Sequence, residues 1–413
     1  MVEYKKTTLD NGLTVLVSID RNTPIAAVNV LYRVGSKYED PNQTGFAHLF
    51  EHLMFGGSVH VPKYDVPLER AGGENNAFTN ADFTNYYLTL PINNLETALW
   101  LESDRMLSLN FSQRSLDVQK QVVIEEFKQN YLNQPYGDVY LLLKPLAYQL
   151  HPYRWATIGR EISHIESATL DDVVDFYRRF YNPDNAILSV VGDVDPGQVF
   201  ERVKHWFGEI KPGNRQVPDY PDEPVQLQAR HQTVYRPVPQ NALYMAWHMP
   251  PRTEQGYYVS DLISDVFSNG HSARLYQRLV KEDKLFTSIQ AFISGDMDGG
   301  LFIITGKLMD GVLMEEAEAA IWAEIERFAE VLVSDEELTK IKNKMESNLT
   351  FSRMTVLNKA MNLCYFELLG DAAEINREFD HYQKITRSDL SNQVKRMLTR
   401  EKVNTLYYYA KND

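Results

Sequence analysis

One cysteine, Cys364, stands in a chain of 413 residues. A disulfide within the chain is therefore excluded, and this usage fits a reducing compartment. Cys364 lies in an apolar run with Met361, Leu363, Tyr365 and Phe366, which reads as core rather than as a nucleophile. Long apolar stretches are missing too. No window of about 18 apolar residues exists, so no membrane span is expected. The segment from Met1 to Val17 reads as strand, turn and strand, without the apolar region of a secretory signal. The expected compartment is the cytoplasm, or the periplasm if a signal segment has been removed. Positive charge is in deficit: 42 Lys and Arg stand against 56 Asp and Glu, a net charge of −14. That balance argues against nucleic acid or an anionic membrane as partner. No glycine-rich phosphate loop and no nucleophile elbow occur, so nucleotide and serine-hydrolase chemistry find no support.

What the chain does have is His48-Leu49-Phe50-Glu51-His52. On a helix, residues four apart lie one turn apart on one face, with Cβ atoms about 6 Å apart. His48 and His52 can then grip one metal ion from the same side, and Glu51 can reach a water held there. This is the H-E-x-x-H logic of zinc peptidases with the glutamate moved to the other end. Thr44 or Asn42 is expected to cap the helix start, and Gly56-Gly57 to end it. Phe46, Leu49, Phe50, Leu53 and Met54 flank the pair with apolar faces, which places it on a buried scaffold.

A length of 413 residues implies two or three domains. Pro212, Pro218, Pro221 and Pro224 mark a linker near the middle, giving domains at 1–212 and 226–413 with 213–225 between them. The halves read alike. Strands near 13–18, 25–33, 76–81, 83–91 and 186–192 in the first half are matched by strands near 230–237, 242–249, a hairpin over 287–308, and 403–409 in the second. Helices fill the intervals in the same order. The pattern predicts a duplicated α+β unit, a mainly antiparallel sheet with helices on one face. Only the first half carries the His-Glu-His motif, which leaves the second free to wall in a substrate.

A catalytic zinc needs three protein ligands and an open position. The helix near 112–131 offers the third, because Glu125-Glu126 interrupts Val122-Val123-Ile124 and Phe127. A carboxylate among apolar residues is costly unless it is paired or metal-bound. Helical geometry alone leaves the choice between Glu125 and Glu126 open.

The stretches GFAHLFEHLMFGGS, NAFTNADFTNYYLTLP, VVIEEF, HPYRWATIGR and NPDNAILSVVGDVD, in that order, resemble the inverzincin family of pitrilysin and mitochondrial processing peptidase. The resemblance implies Zn2+ held by His48, His52 and a glutamate about 75 residues past the second histidine, which is Glu126. It implies Glu51 as general base, and an edge strand, Asn76-Ala77-Phe78-Thr79, that binds extended peptides by strand addition. It also implies two-lobed chains paired around a chamber. Two departures stand out. Gln119 occupies a position where relatives often carry a second glutamate. In Leu279 to Ser288, Val280 and Thr287 stand where active relatives place an Arg and a Tyr that touch substrate, while Arg274 resembles a structural arginine. The expectation is therefore a zinc endopeptidase subunit whose Arg/Tyr clamp comes from a homologous partner chain. The alternative is a non-catalytic assembly subunit of the same fold.

Overall fold

The two halves of the chain build one sheet pattern twice. The computed structural model describes residues 1–213 and 219–411. Its first half forms β1 (Lys5–Thr8), β2 (Thr14–Ile19), β3 (Ile25–Tyr32), β4 (Glu74–Thr79), β5 (Thr84–Pro91) and β6 (Ala186–Gly192). Its second half forms β7 (Arg230–Arg236), β8 (Ala242–His248), β9 (Phe286–Ile293), β10 (Leu301–Leu308) and β11 (Asn404–Ala410). The sheet orders are β1-β2-β6-β3-β5-β4 and β7-β11-β8-β10-β9. With β1 set aside, the two orders correspond strand for strand. Each sheet holds one parallel pair at the matching place, β2 with β6 and β7 with β11. The other named pairs are antiparallel. The duplicated α+β architecture expected from the sequence is the one the chain adopts.

The helices that matter below are α1 (Phe46–Leu53), α2 (Leu95–Leu107), α3 (Gln113–Phe127), α4 (Val139–Ala147), α5 (Gln255–Ser268), α6 (Met314–Glu330), α7 (Val356–Leu368) and α8 (Arg387–Met397). They do not stay with the half of the chain that encodes them. One compact unit comprises Met1–Lys128, Trp155–Tyr220 and Thr350–Arg377; the other comprises Gln129–Arg154, Pro221–Leu349 and Glu378–Asp413. The proline-rich linker, of which 214–218 lie outside the described residues, thus separates the two sheets but not the helices. In the first unit α7, from the second half, lies across β3 and β6. Its Val356, Ala360, Leu363 and Cys364 meet Leu16, Ala27, Leu31 and Ile187. Burying each large aliphatic side chain contributes about 1.5–3 kcal/mol, so this contact is a substantial part of that core. In the second unit α4, from the first half, lies against β7, β8 and β11.

This exchange alters one expectation. Helices do not lie on one face only of the first sheet. β6 is buried at every position and β3 at all but its first, because alternate side chains of these strands point to opposite faces and both faces are covered. The central strands β2, β3 and β6 read as near-continuous apolar runs for that reason. Cys364 is fully buried there, and burial pushes its thiol pKa up to about 12. In the second unit Leu243, Met245 and Trp247 of β8 pack with residues of α5, α6 and α8. Among the described residues no helix is long and apolar enough to cross a membrane.

Candidate metal centre and active site

The helix α1 starts at a position only glycine fits. Gly45 has φ 93°, and a Cβ there would come 2.7 Å from the Ile158 carbonyl oxygen. The first N–H groups of a helix have no acceptor within it. Here a remote side chain supplies one. The Gly45 N–H donates to Glu39 Oε2 at 2.9 Å and the Ala47 N–H to Glu39 Oε1 at 2.8 Å. Glu39 is buried, and burial pushes its carboxyl pKa up to about 8 even though these N–H groups favour the anion. The residues expected as caps are engaged elsewhere. Thr44 Oγ1 lies 2.8 Å from His164 Nδ1 and accepts the Arg160 N–H, while the Asn42 N–H bonds to Asp40. After Leu53 the chain turns through Gly57, φ 94°, where a Cβ would meet the Pro62 oxygen at 2.4 Å.

On this helix the His48 and His52 rings stand edge to face, 4.9 Å apart at 81°. Their Nε2 atoms lie 3.7 and 3.4 Å from Glu126 Oε2, and the three donor atoms fall within 4.8 Å of one another. His48 and Glu126 come from separate helices, α1 and α3, which pack together. Spacings of 3.4–3.7 Å are too long for good hydrogen bonds. They match the edge of a tetrahedron, about 3.4 Å, when ligand bonds are 2.0–2.1 Å as for zinc. Burial pushes the His48 pKa down to about 4, so its ring is neutral with a lone pair to give. The His52 imidazole beside Glu126 holds that carboxyl below the usual carboxylate range, so it is anionic. Two imidazoles and one carboxylate are the donor set zinc takes in a catalytic site, and the residues present fit the ion.

Glu51 is on the same helix, half-buried. Burial raises its carboxyl pKa, and the Thr79 hydroxyl and backbone N–H pull it back down. Glu125, the other candidate for third ligand, points away: it is exposed and pairs with Lys128 Nζ at 2.8 Å. Gln119, two helical turns before Glu126, shares its face of α3 and is half-buried.

The predicted substrate strand is β4, an edge of the first sheet. Its four named residues divide by the period of two. Ala77 and Thr79 are half-buried on one face, and Asn76 and Phe78 are exposed on the other. Phe78 packs edge-on against Phe83. The Ala77 N–H donates to Asn76 Oδ1 at 2.8 Å. Thr79 therefore meets Glu51, while the Phe78 side chain lies away from it.

In the second half the segment compared above holds no free arginine near Val280 and Thr287. Arg274 makes a two-bond ion pair with Glu337, at 2.9 and 2.8 Å. Arg278 pairs with Glu282 and Asp283. Val280 packs against the second core, and the exposed Thr287 hydroxyl bonds to the Lys307 carbonyl at 3.2 Å.

Three features escaped sequence reasoning. Glu39 sits nine residues before His48 and outside any capping box, so no local spacing announces it. Thr79, expected as part of the substrate strand, also lies beside Glu51. The third is a buried ion pair on α2 beneath α1: Arg105 Nε bonds to Glu102 Oε2 at 3.0 Å, and the guanidinium stacks 4.4 Å from the Tyr86 ring. The Tyr86 hydroxyl in turn donates to the Phe50 carbonyl of α1 at 3.4 Å.

Comparison with known proteins places this geometry in context. The family profile of insulinase, peptidase family M16, matches residues 14–159. That of the peptidase M16 inactive domain matches residues 167–345. The chain is 31% identical over 350 residues to the zinc protease PqqE of Helicobacter pylori, covering 82% of this chain and 78% of that protein. It is 25% identical over 359 residues to a probable mitochondrial-processing peptidase subunit beta of Arabidopsis thaliana, covering 84% and 67%. The crystal structure of a protease from Helicobacter pylori superposes with a TM-score of 0.93 at 27% identity, over 99% of this chain and 100% of that one.

Proposed function

The chain belongs to peptidase family M16, and from that premise we propose that it is a zinc-dependent endopeptidase subunit acting on extended peptides. The observation that carries the reading is the convergence of His48, His52 and Glu126 around one point, with Glu51 on the same helix. His48 Nε2, His52 Nε2 and Glu126 Oε2 would hold the ion. Zinc, when bound, supplies Lewis acidity that polarises a carbonyl oxygen and acidifies water.

Each step of proton handling belongs to Glu51. Its carboxylate takes a proton from the attacking water as the carbon–oxygen bond forms at the scissile carbonyl. It then gives that proton to the amine nitrogen as the carbon–nitrogen bond breaks. A carboxyl pKa raised by burial makes the carboxylate a stronger base toward the attacking water than an ordinary one. Thr79 of β4 lies beside that carboxylate and favours its charged form. The free edge of β4 holds the peptide by backbone hydrogen bonds; a bound strand has to displace the Asn76 carboxamide from the Ala77 N–H.

The second half is the non-catalytic domain of this reading. Because Val280 and Thr287 leave it without an Arg/Tyr clamp, a homologous partner chain supplies that pair to complete the substrate site. The Arabidopsis relative is described as a subunit beta, which supports such pairing. The test is hydrolysis of an internally quenched peptide by the purified chain, with chelation and zinc add-back, alone and mixed with a homologous Arg/Tyr-bearing chain. The reading predicts weak chelator-sensitive cleavage alone and a large rise on mixing. Full activity alone would refute the split site, and chelator-insensitive cleavage would refute the metal.

A further inference from the structure

The exposed face of α3 carries two apolar residues where a polar helix surface is the rule. Val118 and Val122 are 52% and 44% exposed, among Gln113, Arg114, Asp117, Gln121 and Glu125. An α-helix advances about 100° per residue. Taking Glu126 as the origin, Leu116, Val123 and Phe127 lie on one side and face the core. Val122 lies about 40° to the other side and Val118 about 80°. Passing around the helix from the core, one meets Gln119 and Glu126, then Val122, then Val118, then solvent. The valines are four apart, with Cβ atoms about 5–6 Å from each other, one and two turns from the metal-binding carboxylate.

Leaving two β-branched apolar side chains in water has no structural return, since the helix already buries Leu116, Val123, Ile124 and Phe127. Their exposure makes sense if something apolar covers them during function. The metal cluster itself says what that is. It lies on the adjoining arc of the same helix, and α1 touches both α3 and the edge strand β4. A peptide laid along β4 would present alternate side chains to opposite faces, and Val122, one helical turn from Glu126, adjoins the arc that carries the metal-binding carboxylate.

Resting on the peptidase reading, we infer that Val118 and Val122 wall a side-chain subsite that selects substrates with an aliphatic residue flanking the scissile bond. Neither wall residue offers a charge or a hydrogen bond, so acidic and basic side chains are disfavoured there. An aliphatic pocket of this kind discriminates by about 10–200-fold.

The test is a series of internally quenched peptides that differ only in carrying Leu, Ser, Asp or Lys at each position within two residues of the cleaved bond. For the zinc-loaded protein, kcat/KM is expected to favour Leu over Ser by about tenfold or more at one of these positions. In the double variant V118S/V122S that ratio should fall to within about threefold. A ratio unchanged by the double substitution, or no aliphatic preference at any position, overturns the subsite. A shift in oligomeric state on sedimentation without a change in the ratio also overturns it, since the valines then face another copy of the chain. The same series is read as binding by fluorescence anisotropy with the Glu51→Gln protein. If no peptide is hydrolysed with or without the homologous Arg/Tyr-bearing chain, the peptidase reading falls, and the Leu-to-Ser affinity ratio with and without the valines still decides the subsite.

Discussion

Replacing Glu39 with alanine should loosen the helix that carries the metal-binding histidines. In the native protein two buried N–H groups, of Gly45 and Ala47, both end on this carboxylate at 2.9 and 2.8 Å. Alanine removes both acceptors from a buried position. A buried donor left without a partner costs about 1–3 kcal/mol, so the variant should lose about 2–6 kcal/mol by equilibrium urea unfolding. Glutamine keeps the shape but has one carbonyl oxygen and a donor group in place of the second oxygen, so its loss should be roughly half as large. A second signature comes from pH. Burial raises the Glu39 pKa to about 8 in the folded protein, above its unfolded value near 4.3. A raised pKa means the folded state holds the proton more tightly. The stability this group contributes is full below about pH 4.3 and is lost as pH rises through about 8. Stability of Glu39→Gln relative to wild type should therefore improve from pH 5 to pH 8. An alanine variant within about 0.5 kcal/mol of wild type, with unchanged zinc affinity, would refute the remote-cap argument.

Three further outcomes are expected. Glu51→Gln should retain zinc by elemental analysis yet lose about 10²–10⁴-fold in peptide hydrolysis, the range for removing a general base. Glu126→Ala should lose zinc affinity in a competitive chelator titration, whereas Glu125→Ala, which only breaks a surface pair with Lys128, should not. Asp261 is half-buried, and its carboxyl pKa is pushed up to about 6 by desolvation, with the Tyr382 hydroxyl donating to it. Being raised, it favours folding below about pH 4 and loses that contribution as pH rises to about 6, so Asp261→Asn should flatten the fall in melting temperature between pH 4 and pH 6.

How much of this was legible in the residues depended on distance along the chain. The His48–Glu51–His52 arrangement is a property of one helical turn, so its spacing alone sets both imidazoles on one face. The sheet pattern was legible because the central strands declare themselves by apolar runs, and the two halves repeat it. Glu126 was not separable from Glu125 by local pattern, because both follow Ile124 and the helix phase depends on packing against α1. The exchange of α4 and α7 was invisible: an apolar helix face shows that something covers it, not which sheet does. Helices on both faces of the first sheet follow from that exchange. For β4, naming four consecutive residues overlooked that alternate side chains of a strand face opposite ways, which sorts Ala77 and Thr79 from Asn76 and Phe78. Glu39 acts across an irregular loop, where no periodicity applies.

The central claim is that three side chains on two helices hold one divalent ion. The direct measurement is calorimetric titration of the chelator-stripped protein with zinc, wild type beside His52→Ala. One ion bound per chain, with the site lost in His52→Ala while the fold is retained by circular dichroism, is the predicted result. Equal zinc stoichiometry and affinity in both proteins would contradict it.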